Sequence, residues 1–191
     1  MTTPDPGAPP RVAVINSSVR EGRFAPRVGA WVHKSLVEAG VDTDVINLCD
    51  LVIPADMSPH PDSASFAGAI GQADAILIIT PEYNHSFPGP LKTAIDAVRE
   101  QWRAKPVAFV SYGGMAGGLR AVEALRLVFA ELHAVTVRDS VSLHNPWGPA
   151  EDPRVEYPDQ AATAALHQMM RQLSWWAGAL RDARHRTPYP G

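Results

Sequence analysis

A single cysteine, Cys49, occurs in 191 residues. That excludes an internal disulfide and is the usage expected of a reducing compartment. No segment approaches the roughly 18 consecutive apolar residues needed to cross a bilayer. Strong charge of either sign is also missing. A net charge of −3 with 17 basic residues gives no electrostatic reason to expect nucleic acid or an anionic membrane as a partner. His133, His144 and His167 show no metal-ligand spacing, so no metal is expected. The pattern G-x-x-x-x-G-K-[ST] does not occur, which argues against a P-loop nucleotidase, and neither does the G-x-G-x-x-G of a dinucleotide grip. The first ten residues carry Pro4, Pro6, Pro9 and Pro10 and no apolar run, so they are not expected to be a signal peptide. The triplets Asn16-Ser17-Ser18 and Asn84-His85-Ser86 then read as chance matches to a glycosylation acceptor. Together these absences predict a cytoplasmic protein.

What is present is a globular balance, 46% hydrophobic and 19% charged, in a chain long enough for one domain with a real core. A mobile Pro-rich arm is expected over residues 1–10, one domain over 11–185, and a tail over 186–191. Short apolar runs alternate with segments of helical periodicity. The expected strands are Arg11 to Asn16, Asp44 to Leu48, Asp74 to Thr80, Lys105 to Tyr112 and Ala134 to Val137. Helices are expected from Pro26 to Gly40, from Ser63 to Gln72, from Pro90 to Trp102, after Gly118, and from Asp159 to Arg181. Ser142 to Pro158, with four prolines, reads as irregular. The alternation predicts an α/β fold, a doubly wound five-stranded parallel sheet in the order 2-1-3-4-5 with helices on both faces.

In such a sheet the loops after strands one, three and four open at the same edge, and here those loops have the unusual compositions. The first, Ser17 to Arg23, joins a strand to a helix start, where backbone N–H groups and the helix dipole favour an anion. Ser17 and Ser18 add hydroxyl donors, and Arg20 and Arg23 add planar forks suited to phosphate. A solvated turn with two surface arginines is the alternative. The second loop is Thr80-Pro81-Glu82-Tyr83-Asn84-His85-Ser86-Phe87-Pro88-Gly89-Pro90. Pro81 fixes the direction in which the chain leaves its strand. The N–H groups of Glu82, Tyr83 and Asn84 are expected to face a flat polar ligand that Tyr83 and Phe87 cover; a Pro-rich connector is the alternative. The third loop, Ser111-Tyr112-Gly113-Gly114-Met115-Ala116-Gly117-Gly118, lets backbone approach a ligand closely, or is simply a flexible connection.

Taken together the three loops resemble the NADPH-dependent FMN reductase family, which is flavodoxin-like. Ser17-Ser18-Val19-Arg20 matches that family's Gly-Ser-x-Arg loop, with Ser17 where glycine is usual. Pro81-Glu82-Tyr83-Asn84 matches its Pro-Glu-Tyr-Asn signature, and Gly89-Pro90-Leu91-Lys92-Thr93-Ala94-Ile95-Asp96 the helix start after it. Ser111-Tyr112-Gly113-Gly114, with Gly117 and Gly118 behind, matches the third loop. The resemblance runs from about Val12 to Val137. It implies FMN bound without a metal, its phosphate held by Ser17, Ser18, Arg20 and Arg23. Pro81, Glu82, Tyr83 and Asn84 would border the isoalloxazine, with Ser111, Gly113 and Gly114 on its other polar edge. It further implies a hydride passed from NADPH or NADH through FMN to a quinone, an azo compound, a metal oxyanion such as chromate, or free flavin. A homodimer or homotetramer is implied as well, with Trp175 and Trp176 of the last helix either at a contact surface or packed in the core. Two other readings stand beside this one. A flavodoxin-like electron carrier is disfavoured by the lack of an acidic surface. A specialised biosynthetic oxidoreductase would use Asn145 to Pro158 to reshape the pocket. Among side chains, His85 is the nearest candidate for a proton donor or substrate contact. Glu82 is expected to offer its backbone while its carboxylate pairs elsewhere, and Cys49 to be a buried, inert thiol.

Overall fold

The computed structural model describes residues 9–147 and 158–191. The expected mobile arm lies outside the described residues except for Pro9 and Pro10, as do residues 148–157 of the expected irregular segment. Three strands form the centre: β1 (Val12–Asn16), with β2 (Thr43–Asn47) on its outer side, and β3 (Ala75–Pro81) and β4 (Pro106–Gly113) on the other. Every residue of β1, β3 and β4 is buried, which is why these strands read as unbroken apolar runs rather than alternating ones. All pairings are parallel, and the order is 2-1-3-4-5 as the alternation predicts.

The two faces carry separate cores. Val12, Val14, Leu77, Ile79 and Val110 pack against α1 (Ala25–Glu38) and α5 (Gln160–Arg186). Ala13, Ile15, Ile76, Ile78 and Phe109 pack against α2 (Pro61–Gln72), α3 (Gly89–Asp96) and α4 (Leu119–Glu131). Pro26 sits in the first turn of α1, where its missing N–H costs nothing. Asp159 caps α5 by accepting the Ala162 N–H at 2.8 Å.

Three elements differ from the sequence expectation. The fifth position is filled by two pieces, β5 (Val135–Thr136) and β6 (Val141–His144), both parallel to β4, so the sheet has six strands on five tracks. The polar Arg138-Asp139-Ser140 interrupts the apolar run, and Arg126 of α4 draws the chain aside by donating to the carbonyls of Val137 (2.7 Å) and Arg138 (2.9 Å). The helix expected over Pro90 to Trp102 stops at Asp96. The buried Trp102 indole N–H caps it, donating to Val98 O at 2.9 Å and to Ile95 O at 3.2 Å. The last helix continues past Arg181 to Arg186, its final turn carrying Arg184, His185 and Arg186, which complement the helix dipole. Among the described residues no helix is long and apolar enough to cross a membrane.

At the edge where the strands begin, Lys105 is buried and donates to Ile70 O (2.5 Å) and Gly71 O (2.9 Å) at the end of α2. Burial, helped by the nearby Arg184 and opposed by Asp74, pushes its pKa down to about 8. Between about pH 8 and the unfolded value of 10.5 the unfolded chain binds a proton that the folded chain has lost. Stability therefore rises with pH across that window, on the order of 1 kcal/mol per pH unit. Denaturant midpoints at pH 8.0, 8.75 and 9.5 should rise accordingly, and Lys105→Met should flatten the rise; an equal slope in both proteins would contradict it.

Candidate functional site

The parallel register carries β1, β3, β4 and β6 to one edge. Asn16 stands beside Ile79, Thr80 and Pro81 beside Ser111 and Tyr112, and Gly113 beside His144. The loops that follow enclose a cleft of about 380 Å³, within the range of small-molecule sites. The β1–α1 loop contributes Ser18, Arg20 and Arg23, the loop after β3 contributes Pro81, Glu82 and Tyr83, and the loop after β4 contributes Gly113. Glu21, Gly22, Phe24, Tyr112 and Trp147 complete the wall.

In the first loop Ser17 and Ser18 are buried. The Ser17 N–H extends the sheet by donating to Ile79 O at 3.0 Å, while its hydroxyl has no hydrogen-bond partner among the described residues. The Ser18 hydroxyl lies 2.9 Å from the Tyr83 hydroxyl. Arg20 stacks over the Tyr83 ring at 5.4 Å from its centroid. Arg23 donates to Cys49 Sγ at 2.8 Å. Cys49 is half-buried rather than buried. Burial and the hydrogen bond to Asp50 outweigh Arg23 and push its pKa up, which suits a thiol and not a nucleophilic thiolate.

The second loop corrects an expectation about its backbone. The Glu82 N–H donates to Tyr112 O at 3.0 Å, and Tyr83 and Ser86 exchange N–H···O bonds of 2.9 and 3.0 Å. Only the Asn84 N–H is left without an internal partner among the described residues. Asn84 (φ 50°) and His85 (φ 67°) form the left-handed pair of a tight hairpin turn, a conformation Asn tolerates better than most residues. Asn84 is thus exposed at the turn tip and not in the cleft wall.

As expected, the Glu82 carboxylate is paired elsewhere. It accepts from Arg120 Nε at 2.6 Å and from the Arg120 backbone N–H at 3.2 Å, so it caps α4 as well as binding the guanidinium. Arg120 Nη1 lies 2.6 Å from His85 Nε2. A guanidinium only donates, so Nε2 is the acceptor in this contact. His85 is exposed and stands outside the cleft wall.

The third loop is held shut by its own Ser111 and by β6 and the residue after it. Ser111 Oγ donates to Gly117 O at 3.0 Å, Ser142 Oγ donates to the same carbonyl at 2.9 Å, and the Asn145 N–H donates to Gly113 O at 2.8 Å. Ser111 is therefore a buried brace of the loop and does not line the cleft, and neither does Gly114. Gly118 has φ +92°, and a Cβ there would lie 2.5 Å from Ser111 Cβ. Tyr112, which lines the cleft, has its pKa pushed up first by burial and then by the neighbouring Tyr83, so it stays a neutral phenol.

Of the expected site residues, the structure gathers Ser18, Arg20, Arg23, Pro81, Glu82, Tyr83 and Gly113 around the cleft. Ser17, Asn84, Ser111 and Gly114 stand behind or beside it. Sequence reasoning missed Arg120, whose signal was only its place in the first turn of the helix after Gly117-Gly118. It also missed Trp147, whose signal was an aromatic between prolines just past the fifth strand position.

The fold is flavodoxin-like, an α/β sheet with its cleft at the carboxyl edge. Residues 10–148 match the sequence model of the NADPH-dependent FMN reductases, and the chain belongs to that family. It is 32% identical over 123 residues to an NAD(P)H-dependent FMN reductase of Schizosaccharomyces pombe, an alignment covering 57% of this chain and 60% of that protein. It is 33% identical over 133 residues to a quinone reductase of Pseudomonas putida, covering 63% and 71% of the two chains. A flavodoxin of Pseudomonas aeruginosa superposes with a TM-score of 0.58 at 20% identity, over 85% of this chain and 98% of that one, a likeness of fold.

The braced glycine loop makes a direct prediction. Gly118→Ala should lower stability by about 2 kcal/mol or more, from the left-handed backbone and the displaced Ser111. A denaturation midpoint equal to the wild type would show that the loop is not packed as described.

Proposed function

We propose that this chain is an FMN-dependent NAD(P)H oxidoreductase that reduces a small quinone-type acceptor. The observation that carries the reading is the mixed lining of the cleft. Two guanidiniums, Arg20 and Arg23, and the Ser18 hydroxyl share it with the aromatic faces of Tyr83, Tyr112 and Trp147. A ligand that combines a phosphate with a flat ring matches both kinds of group. The Ser17 hydroxyl, next to the cleft-lining Ser18, supports it: among the described residues it is buried without a partner, which is costly, and a phosphate oxygen reaching it would satisfy it.

In this reading Ser17, Ser18, Arg20 and Arg23 hold the phosphate. Arg23 leaves a thiol, a weak acceptor, for a charged one. Pro81 and the turn at Tyr83–Ser86 keep one wall rigid, and Gly113 allows backbone against the ring's polar edge. Glu82 acts through structure, tying α4 to this wall through Arg120. Bound FMN supplies the two-electron relay between a hydride donor and the acceptor. The net reaction oxidises NAD(P)H to NAD(P)⁺ and reduces a quinone to a hydroquinone, the second proton coming from solvent.

The relatives named as FMN reductase and quinone reductase support this activity and acceptor class. Trp175, 66% exposed on α5, supports self-association through the last helix. The half-buried free thiol of Cys49 suits a reducing, cytoplasmic setting.

Flavin fluorescence titration of apo-protein tests the phosphate end. Arg20→Ala should weaken FMN binding roughly 10- to 100-fold, the worth of a charge-assisted hydrogen bond, with NAD(P)H-menadione turnover recovering at excess FMN. Unchanged affinity would overturn the assignment of the first loop.

A further inference from the structure

The cleft has one wall that the three loops do not supply. Trp147 follows β6 by three residues and borders the cleft, yet its side chain is 47% exposed. Leaving half of the largest aromatic in water forgoes apolar burial, and at the rim of a concave site such exposure marks a surface kept for a ligand. Trp175 is more exposed but lies on α5, away from the cleft; among the exposed large hydrophobics of the described residues, position and exposure coincide only at Trp147.

The backbone beneath Trp147 is fixed. The Asn145 N–H is bound to Gly113 O at 2.8 Å, Asn145 itself takes φ 44°, and Pro146 is buried with its φ set by its ring. The indole is therefore presented by a rigid support tied to the glycine loop. It also comes from a different strand than the cationic groups. The phosphate-type groups follow β1, whereas Trp147 follows β6, which pairs with β4 on the opposite side of β3. Between them lie Tyr83 and Gly113, which border the ring position.

We infer that Trp147 is the stacking wall for the electron acceptor and sets its preference for flat, uncharged aromatic molecules of the quinone class. The inference rests on the proposed oxidoreductase activity and adds a specificity-determining residue to it. An indole face offers dispersion and a π surface over the whole area of a planar acceptor but nothing to a compact inorganic oxidant. Acceptor choice then follows ring area rather than charge.

The test compares FMN-loaded wild type, Trp147→Ala and Trp147→Phe with menadione and with ferricyanide. In Trp147→Ala the ratio of kcat/KM for menadione to that for ferricyanide should fall roughly 5- to 100-fold, the range found for removing one aromatic stacking partner. The fall should lie in the menadione KM, and Trp147→Phe should recover most of it. Tryptophan emission gives a readout apart from turnover: menadione should quench FMN-loaded wild type more than Trp147→Phe. An unchanged ratio, an equal loss with both acceptors, or a loss of FMN affinity in place of menadione KM would overturn the inference. If wild type turns over neither acceptor, the proposed oxidoreductase activity fails. The quench then decides this inference by itself, and equal quenching in wild type and Trp147→Phe overturns it.

Discussion

Parallel pairing of β1, β3 and β4, each buried along its whole length, is the constraint on which the site depends. Parallel strands joined by right-handed crossovers all point the same way, so their carboxyl ends share one edge. The register places Asn16, Pro81 and Gly113 there together, and segments separated by about sixty and thirty residues become neighbours. The apolar runs thus do two things. They bury both faces of the sheet, and they deliver three polar loops to one cleft without any contact between those loops being needed to bring them there.

The side chains that look chemical in these loops mostly hold the cleft's shape. Glu82 caps α4 and binds Arg120, Ser111 and Ser142 pin the glycine loop through one carbonyl, and Arg120 holds His85. The groups left to meet a ligand are the guanidiniums of Arg20 and Arg23, aromatic faces, and the small surface of Gly113. That division suits a site in which a bound cofactor carries the reactive atoms and the protein supplies position and charge. The Ser17 position fits the same pattern. Its N–H continues the sheet to Ile79, while its hydroxyl, next to the cleft-lining Ser18, has no partner among the described residues.

The sheet order was legible because period and composition report burial directly: Ala75 to Ile79 and Val107 to Val110 have no polar residue to place them at a surface. The split of the fifth strand was not legible. Arg126, which draws Val137 and Arg138 aside, is a helical residue whose partner is known only once α4 packs beside β5. The cleft was legible to the extent that its loops carry local signals, Pro81, the Gly113–Gly118 cluster and the two arginines. Hydrogen-bond commitments were not. Glu82 and Tyr83 spend their N–H groups on Tyr112 and Ser86, and Ser111 spends its hydroxyl on Gly117, choices set by three-dimensional neighbours. Trp147 escaped because an aromatic among prolines has no periodicity to read.

The central claim is that one cleft recognises a phosphate and a flat ring together. Titration of apo-protein with FMN and with riboflavin isolates it, because the two ligands share the ring and differ by the phosphate. The account predicts that FMN binds at least tenfold more tightly than riboflavin, the worth of one to two charge-assisted hydrogen bonds, and that the gap narrows as salt is added. Equal affinity for the two flavins, or binding of neither, would contradict it.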